Sequence, residues 1–77
     1  MKTIYNVYVP LKGKEQFQRL LKACESKNLK INPVFNLDWY FCSSETWNEF
    51  GAWISIKNKT KVTEKQFLKL LENETKK

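Results

Sequence analysis

Between Asp38 and Ile56 the chain reads D-W-Y-F-C-S-S-E-T-W-N-E-F-G-A-W-I-S-I, and no other stretch constrains the fold as strongly. It holds all three tryptophans, one of the three tyrosines and two of the five phenylalanines. Apolar residues alternate with polar ones on both sides of a polar loop, the pattern of two strands joined by a hairpin. The spacing predicts a strand over Val34–Cys42, with Phe35, Leu37, Trp39 and Phe41 facing a core and Tyr40 and Cys42 facing away. Ser43–Glu49 is then the loop and carries Trp47. A further strand runs from Phe50 to about Asn58, with Ala52, Ile54 and Ile56 inward and Trp53 and Ser55 outward. Gly51 marks a bulge or a close backbone approach, because glycine within a strand gives up side-chain packing.

The flanking segments supply the remaining elements. Met1–Val9 alternates Tyr5, Val7 and Val9 against Ile4, Asn6 and Tyr8, a first strand that Pro10 ends by removing a donor. From Lys14 to about Lys27, Phe17, Leu20, Leu21 and Cys24 fall on one helical stripe. Gly13 serves as N-cap, Glu15 and Arg19 are spaced for a pair along the helix, and Asn28 suits a left-handed C-cap. Asn32-Pro33 breaks the chain. Near the end, Thr63 and Gln66 form a capping box, and Val62 and Phe67 have hydrophobic-staple spacing. The second helix then reaches about Glu74, and Lys76 and Lys77 form a frayed basic tail.

This order, β-α-β-β-α, predicts a two-layer α+β domain over residues 1–75. The expected sheet is three-stranded and antiparallel, in the order 1-3-2, with both helices on one face. Its first strand would be an exposed edge, open to a second copy of the chain.

Several classes of chemistry are hard to build from these residues. A 77-residue chain buries only ~60–65% of its unfolded surface, which leaves little room for a deep pocket beside a core. There is no histidine, and Cys24 and Cys42 lack metal-ligand spacing, so no metal, cofactor or catalytic residues are expected and the chain does not read as an enzyme. The thiols read as small buried hydrophobes rather than a disulfide. No apolar run approaches the ~18–20 residues of a membrane span, and no leader segment is evident, so a cytoplasmic location is expected.

Net charge is +6, from thirteen lysines, one arginine and eight carboxylates. The excess suits an acidic partner, but scarce arginine argues against a dedicated phosphate reader, and abundant Lys, Asn and Ile also arise from composition alone. The charge is uneven: Asp38, Glu45 and Glu49 make the most aromatic segment the most acidic one.

On the sheet face away from the helices, Tyr8, Tyr40 and Trp53 are the candidate binding residues, with Trp47 nearby and Lys57, Lys59 and Lys61 at the flank. Val7-Tyr8-Val9-Pro10-Leu11 is similar to the first-strand motif of the RNA recognition motif family, and Ala52-Trp53-Ile54-Ser55-Ile56 to the end of its third-strand motif. The resemblance implies base stacking on Tyr8 and Trp53. The chain departs from that family at Gly51, where a stacking ring is expected, at Asn48–Phe50, and in having no final strand. The leading expectation is therefore a small non-enzymatic protein-binding module. Short lysine-rich chains of this kind resemble phage and mobile-element inhibitors or adaptors that act on a host protein. Single-stranded nucleic-acid binding and homodimer formation, through the first-strand edge or the open face, are the alternatives.

Overall fold

The computed structural model describes residues 3–74; the expected basic tail at 76–77 lies outside them. The elements are β1 (Val7–Pro10), α1 (Lys14–Ser26), β2 (Tyr40–Ser43), β3 (Phe50–Trp53), β4 (Thr60–Lys61) and α2 (Glu64–Glu74). The strands form one mixed sheet in the order β3-β2-β1-β4. β2 is antiparallel to both β1 and β3, and β4 is parallel to β1. The α+β class agrees with the sequence, but the sheet is not the three-stranded antiparallel 1-3-2 arrangement. It also departs from what the resemblance to the RNA recognition motif implies.

Asparagine chemistry explains part of the difference. Alternation predicts a strand from Val34, yet β2 begins only at Tyr40. Asn32 Oδ1 accepts the Val34 N–H at 3.0 Å, and Asn36 Oδ1 accepts the Asp38 N–H at 3.0 Å. These local bonds offer the backbone an alternative to a ladder and turn the chain, leaving Val34 and Leu37 63% and 52% exposed. The detour also lets Lys30–Asn32 flank β3. The Phe50 N–H donates to the Lys30 carbonyl at 2.9 Å, and the Asn32 N–H to the Phe50 carbonyl at 2.8 Å.

β1 is not the expected edge. Thr60 and Val62 donate their N–H groups to the carbonyls of Asn6 and Tyr8, each at 2.9 Å. β4 thereby pairs the side of β1 that would otherwise be bare, so the first strand does not offer the open edge expected for a second copy. β4 has no apolar alternation of its own, so periodicity could not reveal it. The first strand is also shorter than expected. Thr3–Asn6 forms a turn, closed by the Asn6 N–H on the Thr3 carbonyl at 3.2 Å, and Ile4 enters the core while Tyr5 stays exposed.

Both helices lie on one sheet face, as the stripes require. Phe41 of β2 meets Phe17 of α1 at 6.0 Å and Phe67 of α2 at 5.4 Å between ring centroids. Phe50 joins this group, with Val7, Val9, Leu20 and Leu71 filling the space between. Trp39 and Phe35, expected in the core, pack half-buried at its margin.

The helix ends follow local rules. Asn28 adopts φ 62°, and the Leu29 N–H reaches the Cys24 carbonyl at 3.1 Å, closing α1 in a Schellman motif. Gly13 contributes no side-chain cap to α1; buried Gln16 accepts the Lys12 N–H at 2.7 Å instead. At α2 the capping box forms as expected, with the Gln66 N–H on Thr63 Oγ1 at 3.0 Å and the Thr63 N–H on Gln66 Oε1 at 2.9 Å. Arg19 does not settle on Glu15. It makes a bidentate pair with Glu64, at 2.9 and 3.2 Å, that ties α1 to the start of α2.

A Cβ at Gly51 would sit 2.7 Å from the Asn32 carbonyl oxygen, a backbone atom with little freedom to move. Gly51→Ala should therefore lower stability by about 1–3 kcal/mol in urea unfolding, while Thr63→Ala should cost about 1 kcal/mol through the lost cap. The Arg19 guanidinium holds the Glu64 carboxyl below its ordinary range. A folded-state value below the unfolded one adds stability above the ordinary carboxylate range and loses it as the pH falls through that range. Acid titration of unfolding should thus show a smaller loss of stability in Glu64→Gln than in the parent.

Candidate interaction surface

The sheet order places a demand on the chain after β3. β3 and β4 run parallel but occupy opposite edges, so the six-residue connection 54–59 must cross β2 and β1. Since the helices cover one face, it crosses the other. Register places Cys42 on that face, opposite in parity to core Phe41, and its thiol donates to the Ser55 carbonyl at 3.8 Å. Further along, Lys59 Nζ lies 3.6 Å from Glu45 Oε1, with the lysine side chain only 4% exposed. Asn58, at φ 65°, turns the chain between these contacts. Ile54, expected in the core, is instead 69% exposed, because the strand ends at Trp53 and the chain lifts off the sheet.

The crossing strap covers Cys42 but leaves Tyr8, Tyr40 and Trp53 half-buried on the same face. Tyr8 and Tyr40 meet edge to face at 5.1 Å, and Tyr40 is the direct cross-strand partner of Trp53. Pro10 lies opposite Tyr40 on the other side, and Lys61 opposite Tyr8. The Trp53 indole N–H donates to the Glu49 carbonyl at 2.9 Å, which fixes that ring. The structure thus brings three of the candidate aromatics into one row.

The other candidates separate. Trp47 is 64% exposed in the β2–β3 loop, off the strand row, with its backbone N–H on Ser44 Oγ at 3.1 Å. The alternation of Lys57, Lys59 and Lys61 does not form a uniform basic strip. Lys57 is exposed on the strap, Lys59 is tucked against Glu45, and Lys61 sits on β4.

A second feature was hidden from the sequence. Because β1 and β4 are parallel neighbours and each leads into a helix, α1 and α2 start at the same end of the sheet. Between these starts lies a groove of about 940 Å³. Pro10 and Leu68 contribute apolar surface above buried Val62, and Lys12, Lys61 and Lys65 contribute charge beside the Arg19–Glu64 pair. The readable signal was a repeated strand–helix unit, with Thr60–Val62 as a short second strand ahead of the capping box.

The chemistry available at these surfaces is limited. Cys24 and Cys42 are free and buried on opposite sides of the sheet. Burial pushes the Cys24 thiol to about 12 and the Cys42 thiol to about 11, the latter with Lys59 opposing the rise and Glu45 adding to it. Both are protonated at neutral pH and poor nucleophiles. Among the described residues no group of His, Cys, Asp and Glu could hold a metal ion, and no helix is long and apolar enough to cross a membrane.

The chain matches no family model, no curated protein and no solved structure.

The strap makes a measurable difference between the thiols. Removing the Lys59–Glu45 latch with Lys59→Ala should speed alkylation of Cys42 and leave Cys24 unchanged, as read by mass spectrometry of the labelled peptides. Equal acceleration at both cysteines would mean global loosening rather than release of the strap.

Proposed function

We propose that the protein is a small non-enzymatic binding module that recognises a protein partner through the Tyr8–Tyr40–Trp53 row. The observation that carries this reading is the row itself: half-exposed rings, aligned by register, on the face the helices leave free. Rings that are already held in place lose little conformational entropy on binding, and aromatic residues are enriched at the centres of protein interfaces. The acidic residues Asp38, Glu45 and Glu49 border the β2–β3 hairpin and suit a protein better than a phosphodiester backbone. Trp47 in the β2–β3 loop, Lys57 on the strap and Lys61 on β4 are the remaining candidates, separate from the row itself. Two buried, protonated thiols fit a reducing cytoplasm, and an inhibitor or adaptor acting on a host protein, as in phages and mobile elements, fits the size and charge.

A second reading rests on one specific contact. Lys61 stands beside Tyr8 in the β1–β4 register, so single-stranded nucleic acid could stack on Tyr8 while Lys61 and Lys57 follow its phosphates. The two readings separate in one set of measurements. The protein-binding reading expects a specific protein to co-purify with the parent from its native host and to be lost in folded Tyr40→Ala and Trp53→Ala variants. It also expects no oligonucleotide binding at low salt. Oligonucleotide affinity that drops by about 1–3 kcal/mol in Trp53→Ala and falls steeply with salt would favour the second reading instead. A homodimer through the open face would show in light scattering as a doubled mass that Tyr40→Ala abolishes.

A further inference from the structure

We infer that the groove between the starts of α1 and α2 is a second docking surface, and that its occupant is an extended protein segment bearing both carboxylates and aliphatic side chains. The groove shares Pro10 and Lys61 with the flank of the aromatic row, but none of the three rings lines it.

Charge complementarity identifies the occupant. Arg19 is neutralised by its bidentate pair with Glu64, whereas Lys12, Lys61 and Lys65 make no ion pair among the described residues. Lys12 acts on Glu64 only at longer range, so three ammonium groups without an ion-pair partner among the described residues surround a single groove on a chain whose net charge is already +6. Such a cluster costs self-repulsion in the free protein, and an acidic ligand relieves it. Both helices also direct the positive ends of their dipoles toward this end of the sheet, which adds to the same field.

The floor decides between kinds of acidic ligand. Pro10 and Leu68 offer half-buried aliphatic surface and no stacking ring, so bases of a nucleic acid would find no platform. A bare inorganic anion would use the lysines and leave the floor and most of the 940 Å³ unfilled. A peptide alternating acidic and aliphatic side chains uses both. Its carboxylates reach Lys12, Lys61 and Lys65 while its aliphatic groups cover Pro10 and Leu68.

The probe is a fluorescein-labelled peptide alternating glutamate with valine, followed by fluorescence anisotropy on the full chain at low salt. The peptide should bind, and its affinity should fall as salt is added. Lys12→Glu/Lys65→Glu should weaken it by about tenfold or more. Lys22→Glu/Lys69→Glu carries the same change in net charge outside the groove and should weaken binding less than Lys12→Glu/Lys65→Glu, since Coulomb energy falls with distance. Trp53→Ala should bind the peptide normally, which separates failure of this surface from failure of the aromatic row. Amide shifts on titration should gather at residues 11–12 and 61–68.

The inference is overturned by any of four results: no binding of the peptide at low salt, equal binding of its glutamine counterpart, equal loss in the Lys22/Lys69 control, or displacement by oligothymidylate at lower concentrations than by unlabelled peptide. All the substituted lysines are exposed, and urea unfolding of each variant checks that the fold persists.

Discussion

The ring of Phe41 is the point on which the molecule closes. It sits on β2, the strand shared by β1 and β3, and it meets Phe17 from α1, Phe50 from β3 and Phe67 from α2. Every layer of the core is therefore joined through one side chain. Removing a buried ring of this kind costs about 3–5 kcal/mol, which is the order of the whole stability expected from a core this small. The edge-to-face geometry adds an orientation-dependent term that a simple apolar side chain would not supply. Positions around Phe41 are correspondingly small or branched, as with Ala52 and Val9 in direct register with it.

Placing β2 at the centre has consequences on both faces. With β3 and β4 parallel on opposite edges, a strap must cross the face that the helices do not cover. The strap hides Cys42, draws Lys59 against Glu45, and leaves the aromatic row beside it uncovered. Pairing β4 with β1 also sets two strand–helix units side by side, and the groove between their helix starts follows from that pairing. One topological choice thus generates the proposed aromatic surface, its partial cover and the basic groove. The two surfaces differ in chemistry: half-buried rings near carboxylates on one face, aliphatic side chains beneath lysines at the end of the helical layer.

Much was legible in short-range patterns. The helical stripe ending at Cys24, the left-handed Asn28, the capping box at Thr63 and Gln66, and the close approach at Gly51 all appear where the sequence indicates. So does the parity that turns Phe41 inward and Tyr8, Tyr40 and Trp53 outward. What failed were readings that extended alternation too far. Val34 and Leu37 obey a period of two, but Asn32 and Asn36 capture nearby N–H groups and turn the backbone. Ile54 continues the alternation of β3, yet the chain leaves the sheet at Trp53. The i,i+4 spacing of Glu15 and Arg19 lost to a bidentate partner in another helix, because Glu64 offers two oxygens to a planar guanidinium.

The sequence by itself determined the α+β class, the helix boundaries and the side of β1, β2 and β3 that turns to the core. Those properties follow from dihedral preferences, capping chemistry and periodicity, which act over a few residues. Only the tertiary structure decided which strands pair, that β4 exists, where the strap runs, and that Lys12, Lys61 and Lys65 share a groove. Strand pairing is selected by the satisfaction of backbone donors across distant segments and by how two helices fill one face. No local pattern records that competition, and a two-residue strand such as Thr60–Lys61 has meaning only once β1 stands beside it.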